Sequence, residues 1–430
     1  MAQITPKPIP PGYGFPTPKA VIDHWVDTSD TAKMREHAWN LWAGMAADSG
    51  QSYDGQPLPI WETWYGTEEI FPATGTGGVA TAAALLKPDR APPRAFISPN
   101  QFRHLARLKG LAAAANGPAD VQVVSFNKFD PAAADFIVAP HAGPQDAVYF
   151  YNTQSGLNAL NAAWPAGATG EKRGVDDFPD RAIETKPVLG LVSAAGLTPQ
   201  PLWQGLAGST NQTNPTPATW TTCVLIDPKG TGGVRPATAA EIAAANPVTG
   251  LACKTYLYGP LSLFYSFSMN AQEAAAFNTA QQSGAKAGDY AVLLAMHVNT
   301  KEITFWTWQT FYWQPGADTP NGFPGSKAGQ PASLPSPWNN YASCTAYDQT
   351  TKPHGTTMAV CFNPYLETSS GIPAGITSNC VSCHGVALVP SAAANYPPDY
   401  KHPIDFFHSP IYFTKSMTHT DFSWAVASAP

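Results

Sequence analysis

Apolar side chains follow a helical spacing in one stretch near the N-terminus. The positions that fit this spacing are Met34, Ala38, Leu41, Trp42 and Met45. Residues three and four apart lie on one side of a helix, so the pattern predicts an amphipathic helix over residues 31–47. Ser29 or Asp30 is in position to cap its first turn. Two further helices are predicted over residues 100–115 and 271–282.

β-branched and aromatic residues dominate the middle of the chain and predict strands. The runs with this composition cover residues 219–226, 255–269, 290–298 and 303–313. Residues 290–298 are apolar at both odd and even positions, which indicates a central strand covered on both faces. Residues 299–302 are predicted to form the hairpin turn to the next strand. The Pro-, Gly- and Ser-rich residues 314–340 indicate a connection into a C-terminal region.

The overall composition is that of a folded chain with many turns. The 430 residues are 44% apolar and include 35 Gly and 43 Pro, while only 13% are charged, against a usual value of ~25%. The net charge is −6 and the Lys and Arg residues form no cluster, so nucleic acid is not an expected partner. The chain has no apolar run of about 18 residues and therefore no predicted membrane span.

The strongest chemical signal is the sequence Cys-Val-Ser-Cys-His at residues 380–384. Two cysteines separated by two residues and followed by a histidine are the signature of covalent c-type haem attachment. The two thiols form thioethers with the haem vinyl groups, and the histidine is directed at the iron as its proximal ligand. We therefore expect one haem c, bound by Cys380, Cys383 and His384.

Two other kinds of site also use a Cys-x-x-Cys sequence. A zinc site normally needs a second ligand pair at similar spacing, and the chain contains no second Cys-x-x-Cys. A thioredoxin-like dithiol lies at the start of a helix that follows a strand, whereas residues 368–373 have the composition of a loop. Both alternatives stay open, but the sequence favours haem.

The other four cysteines are even in number and are Cys223, Cys253, Cys344 and Cys361. Pairing of sequence neighbours predicts the disulfides Cys223–Cys253 and Cys344–Cys361, each worth about 3 kcal/mol, with four buried thiols as the alternative. Haem attachment of this kind takes place outside the bacterial cytoplasm, and disulfides fit that compartment. We expect a periplasmic or otherwise exported protein whose export signal has been removed ahead of Met1.

The motif does not identify the sixth ligand of the iron. Met417 follows His384 by 33 residues, and methionine is a common axial ligand in cytochromes c. His297 lies in the predicted central strand, where a bond to iron would satisfy a buried ring nitrogen. His402 and His408 are also close in sequence to the motif. The remaining alternative is an open position, which suits small-molecule binding or peroxide chemistry, whereas Met/His ligation suits electron transfer.

Several stretches outside the motif carry a family resemblance. They are Trp39–Gly44, Trp61–Tyr65, His297–Glu302, Trp306–Trp308, Phe362–Glu367 and Thr420–Ala425. Together with the motif, they resemble a group of large, single-haem, mostly uncharacterised bacterial proteins of the cytochrome c family. The resemblance implies haem binding and export within one integrated protein. Only 46 residues follow His384, fewer than in a small cytochrome c, which favours a haem pocket lined by the β-core.

These observations predict an α+β fold with an antiparallel β-rich core, flanking helices and a loop-rich C-terminal c-type haem segment. The expected domains are residues 1–340, a mixed α/β core with a β-sandwich-like centre, and residues 341–430, a haem-binding segment packed on the core. The expected function is electron transfer by an exported cytochrome with one covalent haem and a redox partner protein. The alternative is a haem enzyme or gas-binding protein whose open distal site takes peroxide, NO or O2 as its small-molecule ligand.

Overall fold

The computed structural model describes most of the chain. The described residues are 3–71, 92–96, 123–165, 173–247, 250–281, 283–316, 318, 325–347, 358–368, 375–390 and 417–429. The helix predicted over residues 100–115 and the candidate ligands His402 and His408 lie outside them. The Cys-x-x-Cys-His motif, His297 and Met417 lie within them, so the structure describes the main candidate ligands.

Helices flank the sheets. In chain order they are α1 (Lys19–Asp27), α2 (Thr31–Ala46), α3 (Thr67–Ile70), α4 (Pro131–Val138), α5 (Gln154–Ala163), α6 (Ala239–Ala243), α7 (Ala271–Gln281), α8 (Cys380–His384) and α9 (Trp424–Ala427). The helices predicted over residues 31–47 and 271–282 are confirmed as α2 and α7. Asp30 rather than Ser29 caps α2, because its carboxylate accepts a hydrogen bond from the backbone N–H of Lys33 at 3.0 Å.

Strands form the core of the molecule. In chain order they are β1 (Asp48–Tyr53), β2 (Gln56–Pro59), β3 (Tyr65–Gly66), β4 (Val123–Ser125), β5 (Lys128–Phe129), β6 (Pro140–Ala142), β7 (Val148–Phe150), β8 (Ile183–Val192), β9 (Thr198–Pro201), β10 (Thr222–Asp227), β11 (Arg235–Pro236), β12 (Thr255–Pro260), β13 (Ser266–Ser268), β14 (Tyr290–Thr300), β15 (Thr307–Trp313), β16 (Tyr341–Thr345), β17 (Leu388–Val389) and β18 (Thr418–His419). The largest sheet has the order β16-β15-β14-β8-β5-β3, with β13 on β14 and β4 on β8. A smaller sheet has the order β11-β12-β10-β9, in which β10 and β12 are parallel.

The predicted central strand is confirmed as β14, which pairs with β15 on one side and with β8 on the other. The turn predicted at residues 299–302 is displaced. Thr300 still pairs with Thr307, so the connection consists of residues 301–306 and the next strand begins at Thr307 rather than at residue 303. The hydroxyl groups of Thr300 and Thr307 lie 2.6 Å apart, and this hydrogen bond extends the ladder beyond the predicted turn.

The two other strand predictions need correction in their bounds. The run at residues 219–226 becomes β10, which begins at Thr222. The run at residues 255–269 is divided into β12 and β13, with a 3-10 turn at Leu261–Leu263 between them. Pro260 ends the first of these strands, because proline has no N–H with which to continue a ladder.

The two faces of the largest sheet differ, since successive side chains of a strand point to opposite faces. One face contains Met296, Val298, Phe311 and Trp313; we call it the aromatic face. The opposite face contains Lys186, His297, Trp308 and Thr310; we call it the polar face. Trp42 of α2 stacks on Phe311 of the aromatic face, with ring centroids 4.3 Å apart. The polar face is turned toward the C-terminal segment that carries α8.

The predicted α+β class is confirmed, with helices around mainly antiparallel strands. β16, which begins at Tyr341, pairs with β15 in the largest sheet, and the division of the chain at residue 340 stays a prediction. The structure joins Cys223 to Cys253 and Cys344 to Cys361, with Cα–Cα distances of 5.6 and 5.9 Å. Within the described ranges, none of the helices has the length and apolar character needed to cross a membrane.

Candidate haem attachment site

The Cys-x-x-Cys-His motif forms the short helix α8. Asn379 caps it, because its side-chain oxygen accepts a hydrogen bond from the backbone N–H of Val381 at 3.0 Å. Cys380 and Cys383 are three residues apart and therefore lie on the same side of the helix. Val381 is buried, whereas both cysteines are partly exposed and take part in neither disulfide. The helix thus presents two thiols on one side.

The ring of His384 is held through its Nδ1 atom, which lies 2.8 Å from the backbone carbonyl oxygen of Phe422. A carbonyl oxygen only accepts hydrogen bonds, so Nδ1 carries the proton and Nε2 keeps its lone pair. Burial, with a smaller contribution from the charges of His297 and Lys186, lowers the pKa of His384 to about 3, although the hydrogen bond to Phe422 opposes the change. The imidazole is therefore neutral near pH 7, which is the form that binds a metal.

Two tryptophans fix α8 and its histidine against the sheet. Trp308 of the polar face lies against the ring of His384, with ring centroids 4.3 Å apart. Trp424 in α9 donates a hydrogen bond from Nε1 to the backbone carbonyl oxygen of Cys383 at 3.3 Å. Because one tryptophan contacts the ring and the other contacts the helix backbone, the motif has a defined orientation on the polar face.

The turn that supplies the Phe422 carbonyl has an unusual backbone. Asp421 and Phe422 have φ angles of 47° and 67°, in the left-handed region that non-glycine residues seldom adopt. One carboxylate oxygen of Asp421 accepts a hydrogen bond from Lys301 Nζ at 2.6 Å, and the other accepts one from the backbone N–H of Phe178 at 3.0 Å. Burial raises the pKa of Asp421 to about 6, and Lys301 opposes that rise. At neutral pH the two side chains form a buried ion pair.

Two hydroxyl groups tie the same turn to the core. Ser423 donates a hydrogen bond to Glu184 Oε1 at 2.7 Å, and Thr420 donates one to the carbonyl oxygen of Ala387 at 2.8 Å. Glu184 belongs to β8, where burial raises its pKa to about 7 and the hydrogen bond from Ser423 opposes the rise. Residues 420–423 therefore join the chain that follows α8 to the central part of the sheet.

A row of polar or sulfur-containing side chains crosses the sheet beside α8. In register across four strands, the row contains Lys186, His297, Thr310 and Cys344. His297 Nε2 lies 2.9 Å from Glu367 Oε1. Burial lowers the pKa of Lys186 to about 7, and the charge of Glu367 opposes this change. Burial raises the pKa of Cys383 to about 12, with Glu367 adding to the rise and Lys186 opposing it, so both charges lie close to the motif.

The disulfide between Cys344 and Cys361 also adjoins the motif. The thiol of Cys380 lies 3.6 Å from the backbone carbonyl oxygen of Cys361. The backbone N–H of Cys361 donates a hydrogen bond to the carbonyl oxygen of Ser378 at 3.0 Å. Since Cys344 lies in β16, this disulfide connects the residues beside α8 directly to the sheet.

The predicted ligands have different surroundings in the structure. Cys380, Cys383 and His384 are brought together within one helix, whereas His297 lies on the polar face with Nε2 bonded to Glu367. Met417 is buried immediately before β18, and its backbone carbonyl oxygen accepts a hydrogen bond from Arg173 Nε at 3.1 Å. The identity of the sixth ligand stays a prediction.

Four charged residues near the site were not identified from the sequence, and they are Lys186, Lys301, Glu367 and Asp421. Three of them lie within the stretches that carry the family resemblance. A single charged residue, however, forms no spacing pattern from which its role could be predicted. Lys301 and Asp421 are 120 residues apart in sequence. A buried charge of this kind is recognised only when its partner is known.

The donor set of α8 fits a covalently attached c-type haem. The helix offers two thiols on one side and a neutral histidine whose Nε2 lone pair is available. In the part of the chain that the structure describes, no group of three or more His, Cys, Asp or Glu side chains is arranged to hold a metal ion. No protein-family model, curated protein or solved structure matches this chain.

Proposed function

We propose that this chain carries one covalent c-type haem on Cys380 and Cys383, with His384 as an axial ligand, and that it transfers electrons outside the cytoplasm. The observation that carries the proposal is the geometry of α8. Its two thiols lie on one side and take part in neither disulfide, and its histidine is oriented through Nδ1 by the Phe422 carbonyl. The resemblance to single-haem bacterial cytochrome c proteins supports the same assignment.

The residues around α8 would have different roles in holding the haem. When bound, the haem supplies a one-electron couple whose potential depends on its ligands, burial and nearby hydrogen bonds. His384 would hold the iron through Nε2, while the Phe422 carbonyl oxygen keeps the proton on Nδ1. Trp308 lies against the imidazole, with ring centroids 4.3 Å apart, and would restrict its rotation. Cys380 and Cys383 would hold the haem covalently and so keep it from dissociating.

Two disulfides support an exported location, because such bonds persist in oxidising compartments. The partner would be a separate redox protein that docks on this chain and exchanges electrons with the haem. The low content of charged residues, 13%, counts against a simple carrier, because such carriers usually dock through charged patches.

A second function is favoured by the polar groups beside the motif. Glu367, His297 and Lys186 lie close to Cys383 and His384, and such groups accept and release protons. If the sixth coordination position is open, these side chains would assist a haem enzyme or a protein that binds peroxide, NO or O2. Ligation by Met417 or His297 would instead favour simple electron transfer.

The test is production of the chain in a host that exports it and attaches c-type haem. Wild-type protein should keep one haem per chain after denaturation, with a matching mass increase. Cys380→Ser with Cys383→Ser should lose the covalent haem. Cys223→Ser with Cys253→Ser removes two cysteines elsewhere and should keep it. Absence of covalent haem from the folded wild-type protein overturns the proposal.

Carbon monoxide separates the two functions. A reduced spectrum that carbon monoxide leaves unchanged indicates that both axial positions are taken by side chains, which supports electron transfer. A large change indicates an open or weakly held position and supports the second function. Met417→Ala and His297→Ala then identify the sixth ligand, because only loss of that ligand would make an unreactive protein bind carbon monoxide.

A further inference from the structure

We propose that the buried ion pair between Lys301 and Asp421 is a positioning device, which holds the Phe422 carbonyl oxygen against Nδ1 of His384. This inference rests on the proposed function, because it concerns the histidine that would bind iron. It assigns a role to two residues that would touch neither the haem nor a substrate.

The first argument is that the Phe422 backbone does not adopt its conformation by itself. Asp421 and Phe422 are consecutive residues in the left-handed region, at φ angles of 47° and 67°. Such a conformation is unfavourable for residues with a Cβ atom, and it persists only where the surroundings hold it. The carbonyl that accepts from His384 belongs to this strained pair, so its direction depends on what holds Asp421.

The second argument is that Asp421 is held by a fully engaged lysine. The three N–H groups of Lys301 Nζ donate to Asp421 at 2.6 Å, to Asp177 at 2.9 Å and to the carbonyl oxygen of Thr304 at 2.9 Å. The other oxygen of Asp421 accepts from the backbone N–H of Phe178 at 3.0 Å. The side chains of the lysine and of this carboxylate are both buried, with 5% and 7% of their surface exposed.

The third argument is that the same hairpin contacts the histidine ring itself. Lys301 lies in the connection between β14 and β15, and its backbone N–H donates to the carbonyl oxygen of Ala182 at 3.0 Å. Trp308, near the start of β15, lies 4.3 Å from the His384 ring by centroid distance. The β14–β15 hairpin therefore acts on the imidazole in two ways. Trp308 packs against the ring, and Lys301 holds Asp421, whose neighbour Phe422 supplies the acceptor for the Nδ1 proton.

The expected consequence is electronic as well as structural. A hydrogen bond from Nδ1–H to a carbonyl makes the imidazole a stronger electron donor at Nε2, because such second-shell partners raise the basicity of a ligand. A stronger donor favours ferric over ferrous iron. Loosening the Phe422 carbonyl should therefore raise the reduction potential.

The experiment compares three variants of the haem-loaded protein and separates positioning from simple electrostatics. Asp421→Asn removes a negative charge, and Lys301→Gln removes a positive charge. If only the charges matter, the reduction potential should rise in Asp421→Asn and fall in Lys301→Gln. It should stay unchanged in Lys301→Gln if Asp421 takes up a proton. If the ion pair positions the carbonyl, the reduction potential should rise in both variants by about 59 mV. For a one-electron couple this is about a tenfold increase in the ferrous-to-ferric ratio at a fixed potential.

Asp177→Asn is the matched control, because Asp177 binds the same lysine but its side chain is 80% exposed and it is not the sequence neighbour of Phe422. Its potential should stay near the wild-type value. A lower or unchanged potential in Lys301→Gln, or an unchanged potential in Asp421→Asn, overturns the inference. Equal shifts in Asp177→Asn and Asp421→Asn also overturn it, because only one of these carboxylates precedes Phe422.

A measurement on haem-free protein keeps this inference distinct from the proposed function. In protein labelled with ¹⁵N-histidine, the Nδ1–H signal of His384 should exchange slowly with solvent in the wild type and in Asp177→Asn. It should exchange at least tenfold faster in Asp421→Asn and Lys301→Gln, with helix and strand content unchanged. If both variants keep slow exchange while the wild type attaches haem, the positioning role fails and the haem assignment stands. If no haem attaches but exchange follows the prediction, only the function fails.

Discussion

The aromatic face and the polar face of the largest sheet are stabilised in different ways. On the aromatic face, Trp42 stacks on Phe311 at 4.3 Å and Phe264 stacks on Trp313 at 3.9 Å, by ring centroids. On the polar side, the turn at residues 420–423 is held by an ion pair and by hydrogen bonds of side chains. Ring packing is the sum of many weak contacts over a whole surface, whereas a hydrogen bond joins two particular atoms and depends on their distance and angle. The aromatic face therefore provides stability, and the polar side provides the positions of particular atoms.

The largest effect on stability is expected from the aromatic face. Trp42→Ala should lower the free energy of unfolding by about 3–5 kcal/mol, because it removes a buried ring and leaves a cavity. Chemical denaturation of the haem-free protein measures this loss. The spectrum of the folded, haem-loaded variant should match the wild type, since Trp42 lies on the face away from His384.

Trp42→Phe is the control, because it keeps a ring over Phe311 and should lose less stability than Trp42→Ala. A spectrum altered by Trp42→Ala while the fold is retained would contradict the division of roles between the two faces.

A pH-dependent effect is expected from Asp130, which caps α4 and also accepts a hydrogen bond from the backbone N–H of Ile183 at 2.9 Å. Burial raises its pKa from 3.8 to about 7, against these hydrogen bonds. Between about pH 4 and 7 the folded chain binds more protons at this group than the unfolded chain. The contribution of Asp130 is therefore full below pH 4 and is lost as the pH rises to 7, at up to about 1.4 kcal/mol per pH unit.

Asp130→Asn keeps the cap and removes the titration. Its stability relative to the wild type should rise steadily from pH 4 to pH 7 in urea denaturation. A constant difference over that range would show that Asp130 does not titrate in this interval.

Removal of either disulfide should lower the free energy of unfolding by a similar amount, so the two variants can be compared for their effect on haem attachment. Removal of Cys344–Cys361 or of Cys223–Cys253, by alanine at both positions, should each lower stability by about 3 kcal/mol, because they close loops of 17 and 30 residues. Only the first adjoins Cys380. Its loss should therefore also reduce the yield of attached haem, measured per folded chain. Equal yields in the two double variants would count against a role for the Cys344–Cys361 bond at the site.

The smallest of these effects is expected at Ser423. Ser423→Ala leaves Glu184 buried without its hydroxyl donor and removes the cap that accepts from the backbone N–H of Val426 at 3.2 Å, so it should cost about 1–3 kcal/mol. Ser326→Ala removes a hydroxyl whose bond to Asp318 is exposed, and it should change stability by less than about 0.5 kcal/mol. Thermal unfolding of both variants tests the difference. Equal losses would show that the buried hydrogen bonds of Ser423 contribute no more stability than the exposed one of Ser326.

The sequence by itself determined the elements whose signals are local. The apolar spacing along α2 and the uniform apolar run of β14 predicted a helix and a covered strand, and both are present. The Cys-x-x-Cys-His motif identified the candidate haem ligands for the same reason, since its three side chains lie within one short helix. Interactions within a few residues depend on composition and spacing, which the sequence displays directly.

The tertiary structure alone decided how the motif is supported. Phe422 reaches His384 across 38 residues, Glu367 reaches His297 across 70, and Asp421 reaches Lys301 across 120. The shift of the β14–β15 turn to residues 301–306 belongs with these, because it places Lys301 where it meets Asp421. Partners so far apart are brought together by strand order and register, and these depend on how the whole chain buries its apolar surface rather than on any local pattern.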